Sequence, residues 1–130
     1  SEQKDKVNKN IKIKLKKFDW INILRISALT KKGILLINNV ISEVNNQMEI
    51  RIQTSELNIF LRELWVSKPP HPFRGKRSKL KYATQYGILP PSIAINLNGR
   101  IPQNYQNFLL NELRNNFGFK NICIKMKYNY

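Results

Sequence analysis

The side chains in this sequence best suited to chemistry are cations. Arg74, Lys76 and Arg77 crowd a turn around Gly75, and Arg77, Lys79 and Lys81 then alternate with Ser78, Leu80 and Tyr82. Successive strand residues point to opposite faces, so this spacing predicts one face bearing Arg77, Lys79 and Lys81 and another bearing Ser78, Leu80 and Tyr82. Near the end of the chain, Lys125, Lys127 and Cys123 share one parity while Ile122, Ile124, Met126 and Tyr128 share the other. Guanidinium forks and ammonium point charges meet phosphate oxygens well and read bases poorly. The candidate contacts to an anionic polymer are therefore Arg74, Lys76, Arg77, Lys79, Lys81, Lys125 and Lys127.

Other chemistry finds little support. One cysteine, Cys123, and one histidine, His71, exclude an intrachain disulfide framework and supply no metal site. His71 lies between Pro70 and Pro72 with no carboxylate or second imidazole beside it, and Cys123 reads as a small, inert filler among strand residues. No catalytic residue is assigned. No apolar run approaches the roughly 20 residues of a membrane span, and the lysine-rich N-terminus lacks the apolar core of a signal peptide. A soluble, cytoplasmic chain without a membrane partner is expected.

The elements that must carry the cations follow from periodicity. Ile93, Ile95 and Leu97 alternate with small or polar residues, a strand opened by Pro90-Pro91. Leu57, Phe60, Leu61, Leu64 and Trp65 fall at helical spacing, with Thr54 or Ser55 as the cap and Ser67-Lys68-Pro69-Pro70 as the stop. Tyr105, Phe108, Leu109, Leu113 and Phe117 form a second stripe, opened by Pro102 and closed by Gly118. That aromatic stripe reads as core rather than as a surface for stacking bases. If the three strands form one antiparallel sheet, one face is apolar and takes the helices while the other carries rows of lysine and arginine. Upstream, Val7, Ile11, Leu15 and Phe18 favour a helix, although Ile11 to Lys16 also alternates like a strand. Trp20 to Ser27 is a buried-strand candidate interrupted by Arg25, and Ile34 to about Asn46 is an amphipathic helix.

Charge points the same way. The 130 residues carry a formal net charge of +15, a usual electrostatic footprint of nucleic-acid binding, though acidic proteins and anionic lipids are attracted too. A chain rich in Lys, Asn and Ile also follows from an AT-rich genome, and lysines on a strand can simply face water. Placement of the charge is the stronger argument.

From Ser27 to Tyr128 the sequence resembles the C-terminal part of the bacterial Der (EngA) tandem GTPases. The segments that carry the resemblance are Phe18-Asp19-Trp20, Ile26-Ser27-Ala28-Leu29-Thr30, Thr54-Ser55-Glu56-Leu57-Asn58 and Pro69-Pro70 leading to Arg74-Gly75-Lys76-Arg77. They continue with Leu80-Lys81-Tyr82-Ala83-Thr84-Gln85, Pro90-Pro91, Tyr105, Glu112-Leu113-Arg114 and Phe117-Gly118-Phe119. The resemblance implies an α+β fold with a KH-like domain over 48–130, a three-stranded sheet with one face covered by helices. Residues 1–47 would be the last strand and helix of the second GTPase domain. It further implies that Ser27 and Ala28 are the remnant of the guanine-contacting loop, and that the parent protein uses GTP and Mg2+. Implied partners are ribosomal RNA of the large subunit and the GTPase domains of the parent chain.

The sequence itself lacks the phosphoryl-transfer machinery. No G-x-x-x-x-G-K-[ST] occurs, and Asn8-Lys9-Asn10-Ile11 has no aspartate to complete a base-reading Asn-Lys-x-Asp. A fragment without GTPase activity and without a cofactor of its own is expected. KH domains that bind RNA clamp it with a G-x-x-G loop, and neither Gly75 nor Gly99 has a glycine at that spacing. RNA contact would rest on the cationic strands and turn. The alternative is an intramolecular module whose basic face docks on the GTPase domains and responds to nucleotide state.

Overall fold

Ile93, Ile95 and Leu97 occupy the central strand and are buried, so the alternation around them sets which side of the sheet is the core. The computed structural model describes residues 1–130. Its order is α1 (Glu2–Lys14), a 3-10 turn (Lys16–Phe18), α2 (Leu35–Met48), α3 (Thr54–Ser67), β1 (Lys79–Ile88), β2 (Pro91–Asn98), α4 (Gln103–Phe117) and β3 (Lys125–Asn129). The fold is α+β. Its sheet runs β1-β2-β3, with β1 antiparallel and β3 parallel to β2. An antiparallel sheet throughout was expected, and the parallel pair corrects it: α4 lies between β2 and β3 and returns the chain to the end of the sheet where β2 began, as a crossover helix does.

The core lies between the sheet and two helices. Leu57, Leu61 and Leu64 of α3, and Tyr105, Leu109 and Leu113 of α4, recur every three or four residues and bury against Ala83, Ile93, Ile95 and Leu97. Pro102 stands just before α4 and its carbonyl accepts the amides of Tyr105 and Gln106. Gly118, at φ +74°, closes α4 in the left-handed conformation that a residue without Cβ adopts freely. The cap of α3 differs from expectation: Gln53 is the capping residue, Thr54 begins the helix, and no side chain caps it.

Two readings of the first third of the chain are resolved. The ambiguous opening is helical to Lys14, and the run from Ile34 becomes α2. Residues 20–27, expected to be a strand, form none. A strand needs a neighbouring ladder, and the only sheet here consists of β1, β2 and β3.

Candidate nucleic-acid interface

Arg74 and Gly75 both have positive φ, +49° and +76°. Phe73 and Lys76 close the loop around them with reciprocal backbone hydrogen bonds of 2.9 and 3.1 Å. That is the signature of a two-residue type I′ turn, a conformation for which glycine at the second position is ideal. The turn holds Arg74 at its tip, with the guanidinium 5.6 Å from the Phe73 ring centroid. Lys76 and Arg77 follow, both exposed, and Ser78 anchors the segment by donating its hydroxyl to the Gly99 carbonyl at 2.8 Å.

Along β1 the cations do not alternate simply. Leu80 pairs with Leu97 and Tyr82 with Asn96, so Lys81 has no partner and forms a bulge. The extra residue reverses parity beyond it. Leu80 and Ala83 face the core, whereas Tyr82, expected on the apolar face with Leu80, joins the row of Asn96 and is 53% exposed. Lys79, opposite Asn98, keeps its outward place, and Ser78 is buried as expected. β3 follows the sequence pattern closely: Ile122 and Ile124 are buried, Met126 and Tyr128 pack on the core, and Lys125 and Lys127 are exposed. Cys123 is exposed, not a filler, because it shares the lysine parity just before the strand.

All the predicted cations are thus exposed, but the register sorts them into two groups. Lys79 lies level with Asn98 of β2, whereas Lys125 and Lys127 lie level with Ser92 and Ala94 two strands away. Four residues of strand and two inter-strand steps put Lys79 and Lys127 about 16 Å apart, diagonally across the sheet. Arg74, Lys76, Arg77, Lys79 and Lys81 gather at the start of β1, and Lys125 and Lys127 stand on the opposite edge. None of them pairs with a carboxylate; the single ion pair is Lys68 with Glu112 at 3.9 Å. Glu112 is also the only acidic residue from position 64 to the end, so little in this half neutralises the field.

Between the two groups lies a strip that alternation alone does not place on this face. Tyr82, Asn96 and Asn129 form one cross-strand row, in which Asn129 Nδ2 donates to Asn96 Oδ1 at 3.0 Å. Only the bulge brings Tyr82 there, and the one trace of it in the sequence is the three-residue step from Leu80 to Ala83 in place of a two-residue one.

The Ser27 and Ala28 loop is folded by itself. Ser27 N–H donates to the Lys32 carbonyl at 2.9 Å and Ser27 Oγ accepts from Thr30 N–H at 3.2 Å. Gly33, at φ +80°, lies against this loop so closely that a Cβ there would stand 2.5 Å from the Arg25 carbonyl oxygen. The Ala28 amide takes no part in these bonds.

Arg114 is the one buried cation. Its Nη1 donates to the carbonyls of Phe119 and Ile122 at 3.0 and 2.6 Å, and its guanidinium lies 4.3 Å from the Trp20 ring centroid. Burial lowers its pKa, while Cys123 and Asp19 act in the opposite direction. It positions the loop that delivers β3 rather than meeting a ligand. Burial likewise pushes the Tyr105 hydroxyl up to about 12, and raises Tyr128, with Tyr130 adding to the effect.

Comparison with known proteins places this arrangement. Residues 51–129 match the family described as the KH-domain-like, C-terminal part of EngA bacterial GTPase enzymes. A protein named GTPase Der from Campylobacter hominis is 37% identical over 114 residues, covering 87% of this chain and 25% of that relative. Its namesakes from Chlorobium phaeobacteroides and Campylobacter curvus are 36% and 35% identical, covering 84% and 92% of this chain and 26% of each relative. The chain spans about a quarter of the length of the curated relatives it matches.

Proposed function

Because the chain belongs to the EngA (Der) family of bacterial GTPases and corresponds to their C-terminal KH-domain-like part, we propose that it is an RNA-contacting module of a cytoplasmic ribosome-assembly GTPase. It meets ribosomal RNA of the large subunit or its precursor. The observation that carries this reading is the set of exposed cations on the β1 turn and the outer sheet face, none of them paired with an acid. Such a surface attracts a polyanion and releases counterions when it binds one. Residues 1–47 belong, in this reading, to the end of the preceding GTPase domain, with Ser27 and Ala28 as its guanine-side loop. GTP and Mg2+ act in the parent protein. The chain itself, lacking the P-loop and Asn-Lys-x-Asp motifs, does not turn GTP over. With GTP and Mg2+ it should release phosphate at the rate of buffer alone; faster release contradicts this part of the reading.

A specific observation supports a second role. Ile23, Ile26, Leu29, Leu35 and Leu36 are exposed, Leu29 at 95%, and together they make an apolar stretch uncommon on a free surface. It suits burial against the rest of the GTPase domain that residues 1–47 end, which would bring the basic face of the KH-domain-like part against the GTPase domains of the parent chain. Charge reversal separates the two roles. Lost RNA contact weakens binding to large-subunit ribosomal RNA and leaves nucleotide affinity of the full-length protein intact, whereas lost docking alters nucleotide affinity or hydrolysis without RNA. An RNA affinity indifferent to both salt and charge reversal would leave the cations as a solvated face and overturn the primary reading.

A further inference from the structure

The bulge at Lys81 does more than adjust register. It turns Tyr82 onto the cationic side of the sheet, where its ring is half exposed and its hydroxyl has no protein partner. A tyrosine placed for packing buries its ring and satisfies its hydroxyl. Tyr105, whose hydroxyl donates to the Lys68 carbonyl at 2.8 Å, and Tyr128, which reaches the Gln106 carbonyl at 3.4 Å, do both. Tyr82 does neither.

Its surroundings are those of a binding shelf. The next residues along the central strand, Ala94 and Ser92, are too short to screen the ring, and Lys127 stands beside Ala94. Across the sheet in the row of Tyr82 are the amides of Asn96 and Asn129, with Lys79 opposite Asn98 at the start of β1. An aromatic face, two amides and flanking ammonium groups match the three parts of a nucleotide: base plane, base edge and phosphate.

We propose that Tyr82 is a stacking platform for an unpaired base, with Asn96 and Asn129 beside the base edge and Lys79 and Lys127 taking the phosphates on either side. The ligand is therefore a single-stranded RNA segment. A duplex keeps its base planes stacked inside and offers no face to a protein ring. This inference rests on the RNA-contacting reading and narrows it, since the cations alone would accept duplex and single strand alike.

The test uses an unstructured oligoadenylate and a blunt RNA duplex with the same number of phosphates, each titrated with the whole chain at fixed salt. Tyr82→Ala should weaken single-strand binding by on the order of tenfold, leave duplex binding unchanged and leave the salt slope unchanged, because stacking releases no counterions. Tyr82→Phe should bind as the unaltered chain does. Tyr82→Thr, well suited to a strand, should show the same loss as Tyr82→Ala and guards against a folding artefact. If either variant binds the single strand with unaltered affinity, or loses duplex binding equally, the stacking role is wrong while RNA contact stands. If the unaltered chain binds neither RNA at low salt, the RNA reading itself fails.

Discussion

At the scale of single residues, Arg114 ties several segments together. It is 6% exposed, it joins α4 to the carbonyls of Phe119 and Ile122, and it carries Trp20 of the N-terminal segment on its guanidinium. Arg114→Ala should cost about 3 kcal/mol, because two carbonyls lose a charged donor and a cavity opens. Arg114→Lys should recover little of this, since an ammonium cannot reproduce a planar fork. Urea midpoints of the two variants check it; an Ala variant as stable as the unaltered chain contradicts it. Tyr105 gives a pH dependence. Burial raises its pKa from 10.0 to about 12, so the neutral phenol is favoured in the fold. The stability this contributes is complete below pH 10.0 and is lost as pH climbs towards about 12. Unfolding midpoints should fall over that window, and Tyr105→Phe, which cannot ionise, should flatten the fall while forfeiting the bond to Lys68. An equally steep fall in Tyr105→Phe would assign the effect elsewhere.

At the scale of elements, side-chain amides do much of the joining. Asn58 of α3 offers Oδ1 to the Ala83 amide at 2.8 Å and donates Nδ2 to the Ala83 carbonyl at 2.7 Å, so a helix covers the outer edge of β1. Gln85 of β1 reaches the other way, accepting from Ile52 N–H at 2.7 Å and donating to the Ile50 carbonyl at 3.1 Å. Asn58→Ala should cost about 1–3 kcal/mol by leaving both Ala83 groups unpaired. Hydrogen exchange at the Ala83 amide should accelerate, and unchanged protection would contradict the clamp. These elements show where the sequence was readable. The α3 and α4 stripes, the alternation of Ile93, Ile95 and Leu97 and that of Ile124, Met126 and Tyr128 are periodic over several residues, so their buried faces follow from spacing. The parallel direction of β3 could not be read this way, because direction follows from where α4 delivers the chain. Nor could the outward turn of Tyr82, which depends on one unpaired residue, Lys81, the first of two register shifts in β1. Trp20 to Ser27 has strand composition and no strand because pairing depends on a neighbour that composition does not supply.

At the scale of the whole molecule, two surfaces divide the chain. The N-terminal part shows apolar side chains such as Leu29 and Leu35, and the KH-domain-like part shows cations with Glu112 as its single acid beyond position 63. In the proposed reading the first meets GTPase-domain surface and the second a polyanion; the relatives the chain matches are about four times its length. No helix is long and apolar enough to cross a membrane. The net charge of +15 alone would draw RNA weakly anywhere on the surface, so the proposed contact is defined by its place, the start of β1. Its most direct test compares the salt dependence of binding to large-subunit ribosomal RNA for the unaltered chain and for Lys79→Glu combined with Lys81→Glu. Each lost phosphate contact should flatten the log–log slope by about 0.7–0.9, so the double variant should bind more weakly with a slope shallower by roughly 1.5. An affinity and a slope identical to those of the unaltered chain would show that the start of β1 does not touch the RNA.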